Sequence, residues 1–166
     1  LRALALQALD DMPAMLHGGG LVAAEAYEWH RALLAGHAAD YDPRVSVRIA
    51  RGKDIGAADY IALTRLRGEM IRRWRAQIAE FDAVLMPTVP VVAPRLAELA
   101  DDETYGRVNL LMLRNPTVVN VLDGCAISLP CHEAGAPPVG LSVVGAGGRD
   151  WDILQVAREI EGVLRG

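Results

Sequence analysis

Only two of the 166 residues are cysteine, three are serine and one is lysine, and no apolar run approaches the length of a bilayer. Cys125 and Cys131 stand six apart with a predicted strand between them. That spacing gives neither a CxxC redox pair nor a zinc cluster, and it argues against a disulfide-rich secreted scaffold. A spanning helix needs about 20 consecutive apolar residues, which this chain lacks. No charged n-region, apolar h-region and cleavage site are present either, so the cytoplasm is the default compartment. Acidic side chains outnumber basic ones 21 to 17, a net charge of -4, and the basic residues are not gathered into a tail. Such a balance does not favour nucleic acid as a partner.

The chemistry markers are equally sparse. Ser46, Ser128 and Ser142 lie outside any GxSxG or glycine-rich turn, whereas a nucleophilic serine needs a base within hydrogen-bond reach and an oxyanion hole. The single lysine, Lys53, sits between Arg51 and Asp54 in ARGKDIG and reads as solvated. His17, His30, His37 and His132 have no HExxH spacing, and Gly36 is expected to interrupt the face that His30 and His37 would share. His132 beside Cys131 reads as strand-end packing, because adjacency in sequence does not create a Cys/His couple. Gly18 to Gly20 lacks the continuation of a phosphate loop and reads as a flexible turn. The acidic run Asp101 to Glu103 lacks calcium-loop spacing and reads as a solvated turn. Neither a metal nor a cofactor is expected.

What is present is an ordered series of helices and short strands. The chain is long enough for one domain with a real core, burying about 70% of its extended surface. It begins at Leu1, and LRALALQALDDM reads as the tail of an amphipathic helix, so a fragment or processed chain is expected. Val22, Ala26, Trp29 and Leu33 mark one face of a helix from Val22 to about Ala35. Pro43 opens a short helix and Gly52 closes it. The strongest periodicity runs from Ala57 to about Glu80, with Tyr60, Leu63, Met70, Ile71, Trp74, Ile78 and Phe81 on one stripe and Arg67 inside it.

That helix delivers the chain to FDAVLMPTVPVVAP. Ala83 to Met86 reads as a strand buried on both faces, stopped by Pro87 and followed by a loop stiffened by Pro90 and Pro94. Thr88 is the only side-chain hydroxyl in that loop. In RVNLLMLRNPTVVNVLDG, Asn115 is placed to cap a helix with Pro116 at its first position, and Asn120 follows one turn later. CAISLPC and VGLSVVG are two further strands, whose short connection predicts an antiparallel pair within a mixed sheet. Asp150 is a suitable N-cap for a last helix packed through Ile153, Val156, Ala157, Ile160 and Leu164. The predicted class is α/β, part of a mixed β-sheet flanked by helices.

Four stretches, RGKDIGAADYIALTRLR, FDAVLMPTVPVVAP, NPTVVNVLDGCAISLPC and PPVGLSVVGAGGRDWDILQVAREIE, together and in this order resemble the carboxy-terminal third of the amidase signature family, most nearly its general amidases. The resemblance runs from about Leu21 to the end. One departure is Cys125, where many relatives carry proline. The resemblance implies that residues 1–166 are the carboxy-terminal segment of an amidase that hydrolyses carboxylic amides through a serine acyl-enzyme. In the family a Ser-Ser-Lys triad does this from the amino-terminal portion, and this chain has no equivalent of any triad residue.

The resemblance further implies that Met86, Pro87, Thr88 and Asn120 shape or support a substrate pocket, that no residue here is catalytic, and that the segment alone is inactive. The implied partners are an amide substrate in the complete enzyme and the missing amino-terminal part, with a second copy as another cover for apolar edges. Two other readings stay open: a noncatalytic interaction or scaffold domain derived from the same fold, and an unrelated α/β structural domain.

Overall fold

A computed structural model describes residues 1–165. The chain forms two compact units, residues 1–72 and 73–166.

In the first unit the opening residues do not continue a helix. A 3-10 turn at Gln7–Leu9 leads to helix α1, Met12–Leu16, which restarts the chain because Pro13 sits in its first turn. Gly18, Gly19 and Gly20 all take positive φ, a conformation that L side chains rarely adopt, and they turn the chain into helix α2, Gly20–His37. Gly36 does not stop α2, since a single glycine in a long helix costs only about 1 kcal/mol. The face marked by Val22, Trp29 and Leu33 is exposed, and Gly20 and Ala23 are the buried positions.

Helix α3, Pro43–Ala50, starts at the expected proline, with the Asp42 carboxylate accepting the Arg44 amide. It passes into a 3-10 turn at Arg51–Asp54, whose Gly52 is buried against Ala23 and Tyr27 of α2. Helix α4, Ala57–Ile78, buries Met70, Trp74 and Ile78. Tyr60 lies off that buried stripe and donates its hydroxyl to Glu25 across 2.9 Å. Arg67 is half-buried and has a partner.

The second unit is a three-stranded sheet between two helices. Strand β1 is Val84–Pro87, β2 is Gly124–Pro130 and β3 is Gly140–Ala146, in the order β1-β3-β2. Both pairs are antiparallel, with Val84 opposite Val144 and Gly124 opposite Ala146. The α/β class and the β2–β3 pair are as expected. The sheet contains no parallel pair among the described residues, because β3 inserts between β1 and β2 and runs opposite to both. Helix α6, Asp150–Arg165, covers one face. There Leu129, Val143, Ile153 and Ala157 form a buried cluster, with Leu85, Cys125, Ile127, Val156 and Ile160 packed on it. Leu164, expected on the packing face, is exposed. Asp150 is the first helical residue instead of the cap, and the Arg149 carbonyl accepts the Ile153 amide.

Helix α5 differs most from expectation. It runs unbroken from Asp102 to Val121 through Pro116. Asp101 is its N-cap, accepting the Thr104 amide at 2.8 Å, with Asp102 and Glu103 in the first turn, where carboxylates complement the helix dipole. The hydrogen bond from Thr104 holds the Asp101 carboxyl below its usual range. The acidic run is therefore a helix start rather than a solvated turn. Asn115 lies inside the helix and caps nothing.

Candidate functional site

Strand alternation sends two sets of side chains to opposite faces of the sheet. Leu85, Ile127, Leu129 and Val143 go to α6, and Met86, Ala126, Ser128 and Ser142 go to the other face. The register places Ser142 opposite both Met86 and Ser128. Thr88 lies one residue past β1, where its amide donates to the Gly140 carbonyl at 2.8 Å and so extends the strand's alternation. Its hydroxyl therefore shares the face of Met86. Thr88 Oγ1 is 2.5 Å from Ser128 Oγ and 2.9 Å from Ser142 Oγ, a chain of three hydroxyls across three strands. Gly140 makes room for it, since a Cβ there would stand 2.5 Å from Ser128 Oγ and 2.7 Å from Thr88 Oγ1.

Helix α5 supplies the opposite wall. Asn115, Pro116, Val119 and Asn120 are spaced to share one helical face. The Asn115 side chain, 9% exposed, donates Nδ2 to the Pro87 carbonyl at 2.7 Å, and its Oδ1 accepts Arg114 Nε at 3.2 Å. It thereby ties the helix to the end of β1. Between helix and sheet lies a cavity of about 300 Å³. Of the positions singled out from sequence, Met86, Thr88 and Asn120 line it. Pro87 lies outside the lining and contributes the carbonyl that Asn115 holds.

Sequence reasoning missed Asn115, Ser128 and Ser142 as members of this cavity. The available signal was alternation. Ser128 precedes the core residue Leu129 and Ser142 precedes Val143, so each serine faces away from α6.

Among the described residues, no lysine, histidine or carboxylate lines the cavity, so its hydroxyls have no base to activate them. Lys53 is exposed in the 3-10 turn at Arg51–Asp54. Cys125 faces α6 and directs its thiol to the Ala146 carbonyl at 3.3 Å. Burial, and secondarily the Asp150 carboxylate, push that thiol up, away from the reactive thiolate. Cys131 and His132 each bond to the backbone of Val139, with Cys131 Sγ 3.5 Å from its carbonyl and the Val139 amide 3.3 Å from His132 Nδ1. His30 Nδ1 meets the Tyr41 hydroxyl at 2.8 Å, and His37 Nδ1 meets Asp40 at 3.2 Å. No group of three or more metal-ligating side chains occurs among the described residues. No helix among them is long and apolar enough to cross a membrane.

Replacing Asn115 with alanine is expected to cost about 0.5–1.5 kcal/mol, the usual net contribution of one hydrogen bond, here the part-buried one to the Pro87 carbonyl. Urea denaturation would measure the loss. Faster hydrogen exchange at the Thr88 amide, relative to the amides of β2, would locate it at the strand end.

Known proteins place this architecture. The family described as Amidase matches residues 4–154, and the chain belongs to it. It is 28% identical over 151 residues to 2-amino-5-chloromuconic acid deaminase of Comamonas testosteroni, covering 88% of this chain and 32% of that one. It is 30% identical over 124 residues to fatty acid amide hydrolase of Medicago truncatula, covering 73% and 20%. A crystal structure of an amidase superposes with a TM-score of 0.69 at 28% identity, over 89% of this chain and 38% of that one. The chain thus spans about a third of the length of the deaminase and of the amidase, and a smaller share of the hydrolase.

Proposed function

We propose that this chain is the carboxy-terminal segment of an amidase that hydrolyses carboxylic amide C–N bonds to a carboxylate and ammonia or an amine through a serine acyl-enzyme. The segment contributes scaffold and one wall of the substrate pocket, and it does not turn over substrate alone. The observation that carries this reading is a hydroxyl-lined cavity without a base, in a chain that matches the Amidase family over residues 4–154. Thr88, Ser128 and Ser142 orient a bound molecule but lack the neighbour that would make any of them a nucleophile. Met86 and Asn120 shape the wall, and Pro87 holds it through Asn115.

The exposed apolar surface supports a larger parent protein. Among the described residues β1 and β2 each have one unpaired edge, and β2 carries no charged residue along its length. In the same unit Leu110, Trp151 and Val163 are 67%, 80% and 82% exposed. The amino-terminal part of the same protein is the cover we assign to this surface, and the cytoplasm remains the default compartment.

Ammonia release from a panel of simple aliphatic and aromatic amides tests the reading. The purified chain is expected to release none above background. Turnover that survives Lys53→Ala would overturn the assignment of catalysis to residues outside this segment. The parent gene's upstream sequence tests the other half: a glycine- and serine-rich stretch with a lysine is expected, and its absence would favour a noncatalytic scaffold derived from the fold.

A further inference from the structure

We infer that the bond between Asp123 and Gly124, at the junction of α5 and β2, is a covalent modification site where the folded chain closes to a succinimide and reopens as isoaspartate. The inference is independent of the amidase reading and of what the cavity holds.

The sequence supplies the reacting pair. Glycine has no Cβ to shield its amide nitrogen, so an aspartate followed by glycine closes more readily than one followed by any other residue. No other aspartate or asparagine of the chain precedes a glycine.

The fold leaves both partners accessible. Asp123 lies one residue past the Leu122 cap of α5 with φ 53°, the left-handed position that glycine or asparagine usually takes, and its side chain is 55% exposed. In the β2–β3 pair the Cys131 amide donates to the Val139 carbonyl at 3.0 Å. Hydrogen-bonded and non-bonded pairs alternate along an antiparallel ladder, so Gly124, opposite Ala146, falls in a non-bonded pair. Its N–H therefore points away from β3, toward the edge of β2 that has no neighbouring strand among the described residues.

One contact guards the carboxylate. Arg75 Nη2 stands 3.3 Å from Asp123 Oδ2, and ring closure needs that contact to open first. With both side chains about half exposed the pair is weak and opens readily. The carboxylate also sits at the negative end of the α5 dipole, which opposes it.

The reaction needs no co-reactant but water. The Gly124 nitrogen attacks Cγ of the protonated Asp123 carboxyl, a C–N bond forms, and one carboxyl oxygen leaves as water with the amide proton. Water then adds to the imide. Opening at Cγ restores aspartate, and opening at the α-carbonyl leaves the chain running through the side chain, with a free α-carboxylate and one more backbone carbon. There is little room for that carbon. Gly124 lines the cavity, and even a Cβ there would stand 3.0 Å from the Gly145 carbonyl oxygen and 3.1 Å from Val119 Cγ1. Isomerisation thus displaces β2 against the α5 wall of the cavity.

The test incubates the chain at neutral pH and physiological temperature, folded and, in parallel, unfolded in guanidinium. Tryptic peptides are then fragmented by electron transfer, which distinguishes isoaspartate from aspartate. In the folded chain isoaspartate is expected at position 123 and at no other aspartate, forming no more than about thirtyfold more slowly than in guanidinium, the factor that ordering one backbone residue is worth. Arg75→Ala should raise the folded-state rate about two- to fivefold, the size of an exposed ion pair, with circular dichroism confirming that the variant is folded. Asp123→Gly keeps the left-handed backbone and should abolish the product. Isoaspartate at position 123 in the unfolded chain but none in the folded one would overturn the inference. A rate unchanged in folded Arg75→Ala would overturn the guarding role of Arg75.

Discussion

Replacing Gly52 with alanine is expected to remove about 3 kcal/mol of stability, at the upper end of the usual overpacking range. In a chain of this size that corresponds to a fall of roughly 6–12 °C in melting temperature. The cause is space rather than backbone angle. A Cβ at position 52 would overlap the Ala23 carbonyl oxygen and would stand 2.5 Å from the Ala23 carbonyl carbon and 2.7 Å from Tyr27 Cβ. Two of those three atoms are backbone and the third is a Cβ, so no flexible side-chain tip can yield. Either the 3-10 turn at Arg51–Asp54 lifts from α2, or α2 bends. Gly106 in α5 provides the opposite case, since a Cβ there meets nothing within 4 Å. Gly106→Ala should stabilise by about 0.5–1 kcal/mol through the better helix propensity of alanine. Thermal unfolding of the two variants beside the parent chain checks both signs. A neutral Gly52→Ala would show that the turn does not bear on α2 as closely as described.

Gly52 also marks where local reading of the sequence loses reach. In RGKDIG it reads as a helix stop, and α3 does end at Ala50. Its tighter constraint comes from α2, nearly thirty residues earlier, which no local signal records. The same division runs through the second unit. Pro87 and Pro130 end strands, and the interval between β2 and β3 fixes their antiparallel pairing, because these are short-range properties of the backbone. The insertion of β3 between β1 and β2 is a long-range choice, invisible in any of the three strand sequences.

Asn115 illustrates how a correct local rule can lose. An Asn-Pro pair is a good helix start, yet α5 has already begun at Asp102, capped by Asp101, and its turns carry it through Pro116. Freed from capping, the Asn115 amide is available to the Pro87 carbonyl. Met86, Thr88 and Asn120 were legible as candidate pocket residues through the family resemblance. The serines were legible only as poor nucleophiles, because a hydroxyl chain needs three strands in register before it exists.

The second large effect concerns the face of the sheet turned away from the cavity. Ile153→Ala is expected to cost about 2–5 kcal/mol, the range for truncating a buried aliphatic side chain. Ile153 is 2% exposed in the cluster with Leu129, Val143 and Ala157. Gly145 is the matching half of this contact. A Cβ there would stand 2.6 Å from Ile153 Cγ1 and 2.7 Å from Cδ1, and Ile153 is too stiff at χ1 to move aside easily. Gly145→Ala alone should therefore destabilise by about 1–3 kcal/mol through overpacking. In the double variant the new methyl enters the space that Ile153 vacates, so the two losses should fall short of their sum by about 1 kcal/mol or more. Urea denaturation of the four proteins closes the cycle, with midpoints compared at equal slope. Strict additivity would mean that Gly145 is glycine for a reason other than the approach of Ile153. Coupling would show that α6 seats on β3 through Gly145, where the strand carries no side chain on the face turned to the helix, which sets how closely the helix lies on the sheet that carries the hydroxyls.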